Sequence, residues 1–198
     1  MKREILVISL ASILILSLTI TLQSLVIFEL GKKSGLVFAD EDVIITVNET
    51  IASFYARYAV KNYDEVTNYW IALPFTLKPW DINLTINDVS SDYYWTVSYV
   101  DSEPLPFDAI RFKVQIEKNQ KLDIVVKYFR NFEIIEENST EYGLFRYLVG
   151  STRSWSQPLD FAHFEFWQEN DSIKTHLETR DFYNWMPEET FLYFYFTV

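Results

Sequence analysis

From Asp40 onward the apolar residues of this chain recur at every second position, and that spacing restricts the domain to β-structure. In Ala109 to Glu117, Ile110, Phe112, Val114 and Ile116 alternate with Arg111, Lys113, Gln115 and Glu117. Successive strand side chains point to opposite faces, so this run predicts a strand with one buried and one wet face. Leu122, Ile124, Val126 and Tyr128 repeat the pattern after the polar Glu117-Lys118-Asn119-Gln120. Two such runs across a short polar loop predict a hairpin.

Further strands are predicted over 42–48, 50–62, 66–73, 82–86, 93–100, 132–135, 142–149, 159–167, 173–177 and 190–198. Asn62-Tyr63-Asp64-Glu65 reads as a turn. Pro74 and Pro79 stop the third strand. No amphipathic helix interrupts the series. The expected fold is all-β: an antiparallel β-sandwich, immunoglobulin-like in general architecture. About 160 residues suffice to bury a core without cross-links. The chain has no cysteine, so packing alone must hold it.

The other organising stretch precedes this domain. Between Ile5 and Leu30 the only charge is Glu29. About 20 apolar residues cross a bilayer core, so the run can span one. Two readings compete. An uncleaved anchor would leave residues 1–30 in the membrane, 31–41 as a linker and 42–198 as the domain. A secretory signal would be cleaved after Ala39, where Val37 and Ala39 are small, and release the domain. The run is long for a signal's apolar core and ends well before Ala39, which favours the anchor. Lys2 and Arg3 face Lys32 and Lys33 across the span, so flanking charge does not orient it.

Four N-x-S/T sequons suggest the orientation. Asn48, Asn83, Asn138 and Asn170 all fall near predicted strand ends or turns, where a glycan can be carried. The domain is therefore expected outside the cell, on a single-pass membrane protein. The charged residues before Asp40 sum to +2, so the rest carries −13 of a net −11. That field excludes nucleic acid as a main partner.

Signatures of chemistry are sparse. His163 and Glu165 share one strand face, and His176 with Asp160 or Asp181 could add ligands, but the spacing matches no metal motif. There is no nucleophile elbow and no glycine-rich phosphate loop. Neither catalytic nor cofactor residues, nor a metal site, are expected, and the chain reads as a non-enzyme.

Three stretches could bind a partner. The loop from Gly150 to Pro158 carries Arg153, Trp155 and Gln157, and Arg and Trp anchor interfaces. Tyr93, Tyr94 and Trp95, with Trp70 and Trp80, could present rings to a sugar. Phe191 to Val198 is apolar or aromatic on both faces. It reads either as an internal central strand or as a strand that pairs with a neighbour. Tyr58-Ala59-Val60-Lys61-Asn62 followed by Trp70-Ile71-Ala72-Leu73-Pro74 resembles the opening strands of small extracytoplasmic β-sandwich proteins of archaeal and bacterial envelopes. The resemblance implies no functional residue. The function expected is binding or structural, towards other envelope proteins or copies of itself, with Ile5 to Leu30 in the membrane. The alternative is recognition or processing of carbohydrate by exposed aromatics.

Overall fold

Strand alternation places one hydrophobic layer between sheets. In the computed structural model, residues 35–49, 51–100, 103–137, 139–155 and 157–197 are described. The segment Ile5 to Leu30 lies outside them, as do Asn138 and Val198. Among the described residues no helix is long and apolar enough to cross a membrane.

The chain runs β1 (Leu36–Val47), β2 (Ala52–Asn62), β3 (Asn68–Phe75), β4 (Trp80–Ile86), β5 (Val89–Ser90), β6 (Tyr94–Ser98) and β7 (Phe107–Gln115). It continues through β8 (Lys121–Arg130), β9 (Glu133–Glu137) and β10 (Thr140–Leu148). A 3-10 turn (Gly150–Trp155) leads to β11 (Leu159–Asn170), β12 (Ile173–Trp185) and β13 (Phe191–Thr197). Seven strands form one sheet in the order β12-β11-β1-β2-β8-β4-β5. Two three-stranded sheets, β13-β10-β9 and β3-β7-β6, complete the fold.

Two features depart from the purely antiparallel, immunoglobulin-like expectation. Strand β1 pairs with β11 in parallel, with Val43 opposite Phe164. The smaller strands also divide into two sheets rather than one. A further correction concerns the expected hairpin. Strand β7 pairs with β3 and β6, while β8 pairs with β2 and β4 in the large sheet. The loop between them crosses from one sheet to another. Alternation specifies which face of each strand is wet; it does not specify which neighbour it pairs with.

The core joins all three sheets. Ile45, Phe54, Ile124 and Phe164 of the large sheet share it with Ile110 and Phe112 of β7 and with Phe145 and Phe194 of the β13-β10-β9 sheet. Rings carry much of the contact: Phe54 stacks on Tyr128 at 4.5 Å and leans on Phe145 at 4.6 Å, and Phe166 meets Phe194 at 5.2 Å. The core reaches the start of β1 as well. Leu36, Phe38 and Ala39 are buried there, with Leu36 opposite Asn62 and Phe38 opposite Val60.

Asn62 ends β2 without a wasted polar group. Its Nδ2 donates to the carbonyls of Val66 (2.7 Å) and Ile116 (2.9 Å), and its Oδ1 accepts from Asp64 N and the Tyr69 hydroxyl. One buried side chain thereby closes the turn read at Asn62 to Glu65 and ties it to the crossing after β7.

Strand β13 is an edge strand, paired only with β10. Leu192, Phe194 and Phe196 enter the core, whereas Tyr193 and Tyr195 face outward. The internal, doubly buried strand expected here is not formed. Side chains from the large sheet cover part of its open edge: Arg180 Nη2 donates to Tyr193 O at 2.9 Å and Gln168 Nε2 to Thr197 O at 3.0 Å. Such capping removes carbonyls that another strand would use.

Candidate binding face on the β3-β7-β6 sheet

The outer face of β3-β7-β6 collects large side chains that the core does not take. Register places Arg111 between Ala72 on β3 and Tyr94 on β6, and Lys113 opposite Trp70. All five are exposed. Trp70 keeps 47% of its surface in solvent and Tyr94 66%, in a chain with ample core to bury them. The small Ala72 leaves room for the Arg111 guanidinium to lie over the Trp70 ring, 4.6 Å from its centroid. Trp70 and Tyr94 stand 6.5 Å apart at 56°. Trp95, the next residue along β6, pairs with the buried Ile110 and so points to the opposite face; it is 42% exposed, capped by Lys78 Nζ at 4.8 Å, and touches Phe75 and Tyr93.

Charge marks this face out. Arg57, Lys61, Lys118, Lys121, Arg146, Lys174 and Arg180 each bridge to a carboxylate elsewhere in the domain. Among the described residues Arg111 and Lys113 have no such bridge; Lys78, Lys127 over the Tyr55 ring and the buried Arg130 lack one too, but Arg111 and Lys113 stand two residues apart on one exposed strand face. Strands β3 and β6 contain no acidic residue. The single acid of β7, Asp108, is three positions from Arg111 and so points the other way.

The other expected residues are placed differently. Arg153 donates from Nη1 to the carbonyls of Pro187 (3.2 Å), Glu188 (3.0 Å) and Glu189 (3.0 Å), fastening the segment before β13. Trp155 packs on the core with its ring 5.6 Å from Phe38. Of the three candidates on that loop, Gln157 is exposed while Arg153 and Trp155 are half-buried. Trp80, 42% exposed, sits on β4 opposite Phe129 in the large sheet, apart from Trp70 and Tyr94. Asn48, Asn83 and Asn170 are exposed; Asn48 caps the β1–β2 turn through Ile51 N at 2.9 Å.

His163 lies on the outer face of the large sheet between two carboxylates, Nδ1 to Asp181 at 2.6 Å and Nε2 to Glu165 at 3.2 Å. Partial burial works against its charge, but the two carboxylate hydrogen bonds outweigh this and raise its pKa above 6.5. The Trp167 ring N–H on Glu165, followed by His163 itself, lowers that carboxyl. His176 is turned away, bonded to Thr179 and set against the Trp167 ring. Among the described residues no group of His, Asp and Glu could hold a metal ion.

No family model matches the chain, and no curated protein matches it. Solved structures do. A Legionella pneumophila protein provisionally described as nutrient-binding superposes with a TM-score of 0.61 at 13% identity, over 83% of this chain and 68% of that one. This likeness places the chain in the same class of all-β fold and shows nothing beyond the fold. An M1 zinc metallopeptidase of Deinococcus radiodurans aligns at 0.47 and 15% identity over 74% of this chain and 39% of its own. Yeast LTA4 hydrolase aligns at 0.43 and 10% over 68% and 23%. These last two are too loose to bear on function, and they decide nothing about enzymatic activity.

Sequence reasoning singled out Trp70, Tyr94 and Trp95 but missed Arg111 and Lys113. The signal was present in the wet half of the β7 alternation. It became a site only through the register that sets Arg111 beside Tyr94.

Proposed function

We propose that this chain is a non-enzymatic binding module of the cell envelope, a layered β-sandwich held at the membrane by Ile5 to Leu30, that docks another protein on the outer face of β3-β7-β6. The observation that carries this reading is the Trp70, Arg111 and Tyr94 cluster left exposed on a sheet whose opposite face packs Ile71, Ile110, Phe112 and Val114 into the core. Trp, Tyr and Arg are the residue types that dominate interface energetics. The geometry favours a protein over a sugar. A pyranose needs an open ring face, and Arg111 covers one side of Trp70 while Lys78 covers Trp95. The Trp70 and Tyr94 planes are also inclined at 56° rather than coplanar.

The buried start of β1 supports the retained anchor. Cleavage after Ala39 would remove Leu36, Phe38 and Ala39 from the core and half-strip the end of β2. The exposed sequon residues Asn48, Asn83 and Asn170 support a domain outside the cell.

A photo-crosslinking residue in place of Tyr94, in the full-length protein in its native membrane, tests the docking face. Discrete protein adducts that do not form from a control position at Lys174 are expected. Adducts indistinguishable between the two positions, or capture of glycan alone, overturn the reading.

A further inference from the structure

The docking face differs in charge from the domain that carries it. Carboxylates outnumber cations two to one from Asp40 onward, with 26 acidic and 13 basic residues. In such a chain a cation normally finds a carboxylate of its own, as Arg57 finds Asp123 and Lys61 finds Asp160. Arg111 and Lys113, adjacent on the docking face, have none among the described residues, and neither do Lys78, Lys127 and Arg130 elsewhere. Arg111 lies instead on the exposed Trp70 ring.

A guanidinium stacked on an indole is held in place with its N–H edges directed outward, suited to a bidentate carboxylate. Lys113 adds a second point charge opposite Trp70 on the same face. The exposed faces of Trp70 and Tyr94 offer apolar contact between the charges.

Resting on the docking reading above, we propose that the β3-β7-β6 face recognises an acidic polypeptide segment, one that brings carboxylates to Arg111 and Lys113 and apolar or aromatic side chains to Trp70 and Tyr94. Charge complementarity selects this occupant. A second copy of so acidic a domain is repelled at long range. A polyanionic glycan needs a row of cations, and this face has two, Arg111 and Lys113. A segment with interspersed acidic and apolar side chains matches both the spacing and the mixture.

The test uses the full-length protein in detergent and a random copolymer of glutamate and tyrosine as probe, with heparin as the polysaccharide comparison. The copolymer should bind, bind less as salt rises, and lose at least about tenfold in affinity in Trp70→Ala and in the double variant Arg111→Glu/Lys113→Glu. Lys174→Glu, far away on β12, should leave it unchanged. All four positions are surface-exposed, and circular dichroism checks that the variants fold. Heparin binding in place of the copolymer overturns the proposal. So does copolymer binding indifferent to these substitutions. Self-association abolished by Arg111→Glu/Lys113→Glu, without copolymer binding, overturns it in favour of a second copy. Discrete adducts from Tyr94 with no copolymer binding would leave the docking face standing and remove only the acidic partner. An absence of adducts removes the face itself.

Discussion

Tyr147 on β10 donates its hydroxyl hydrogen to Oε1 of Glu41 on β1 at 2.7 Å, a bond between two sheets across the hydrophobic core. Tyr58 on β2 meets the same Tyr147 oxygen at 2.8 Å, so three buried polar groups form a chain. Glu41 is only 3% exposed, and its Oε2 has no hydrogen-bond partner. Alternation puts Glu41 on the core face with Val43 and Ile45, a position where the pattern calls for an apolar residue. Burial disfavours its charge and the Tyr147 bond only partly offsets this, leaving its pKa raised from 4.5 to about 7.

That shift fixes the sign of a pH dependence. The folded state holds the Glu41 proton more tightly than the unfolded chain does. Stability contributed by the protonated form is therefore complete below 4.5 and is lost as pH rises to about 7, by roughly 3 kcal/mol. Glu41→Gln keeps the shape and cannot ionise. Urea titrations between pH 4 and 8 should show the variant without this fall and more stable than the parent above pH 7. A parallel decline in parent and variant would rule out Glu41 as its source.

A histidine on the other face gives a second titration. His163 is raised, so its contribution to stability is present below 6.5 and is lost as pH climbs through the folded value. Asp181 supplies the shorter of its two hydrogen bonds. The Asp181→Asn variant should bring the His163 midpoint down, read from imidazole carbon-bound proton shifts by NMR.

These two groups also mark where the sequence could and could not be read. The alternation in β1, β7 and β8 identified strands and their wet faces, because the pleat alone imposes it. Pairing was illegible, since it depends on contacts between distant residues; β7 and β8 were adjacent in sequence and still joined different sheets. Strand β12 runs eight residues past the predicted 173–177, through the charged Glu178, Arg180 and Asp181. Their charges are met within the structure, Glu178 by Arg180 and Asp181 by His163, and the strand runs on to Trp185. The binding face was half visible. Its aromatics stood out by type, whereas Arg111 and Lys113 looked like ordinary wet-face residues until register set them beside Tyr94 and Trp70.

Gly143 on β10 lies under an aromatic ring. It pairs with Phe196 of β13, and a β-carbon at position 143 would collide with that ring. Phe196 is itself buried and packs edge-on against Phe132 at 4.8 Å, so it has little freedom to move aside. Gly143→Ala should cost about 1–3 kcal/mol by overpacking. Phe196→Leu should cost energy alone yet soften the effect of Gly143→Ala. Chemical denaturation of the two single variants and the double variant measures the coupling. Additive losses would mean that the ring yields.

The start of β1 permits a test of the anchor that needs no membrane. A chain beginning at Asp40, as cleavage after Ala39 would produce, lacks the buried side chains of Leu36 and Phe38 and the backbone ladder to Val60 and Asn62. Each large apolar side chain removed from a core forfeits about 1.5–3 kcal/mol. A chain beginning at Gly35 keeps both. The shorter chain should therefore unfold at lower urea by an amount equivalent to roughly 3–6 kcal/mol, a large part of the stability a domain of this size possesses. Gly35 also accepts a hydrogen bond from Tyr63 N at 2.8 Å, so the contact at that end is a closed one rather than a fraying tail. Equal stability of the two chains would mean that Leu36 to Ala39 are dispensable, and release by cleavage after Ala39 would then cost the fold nothing.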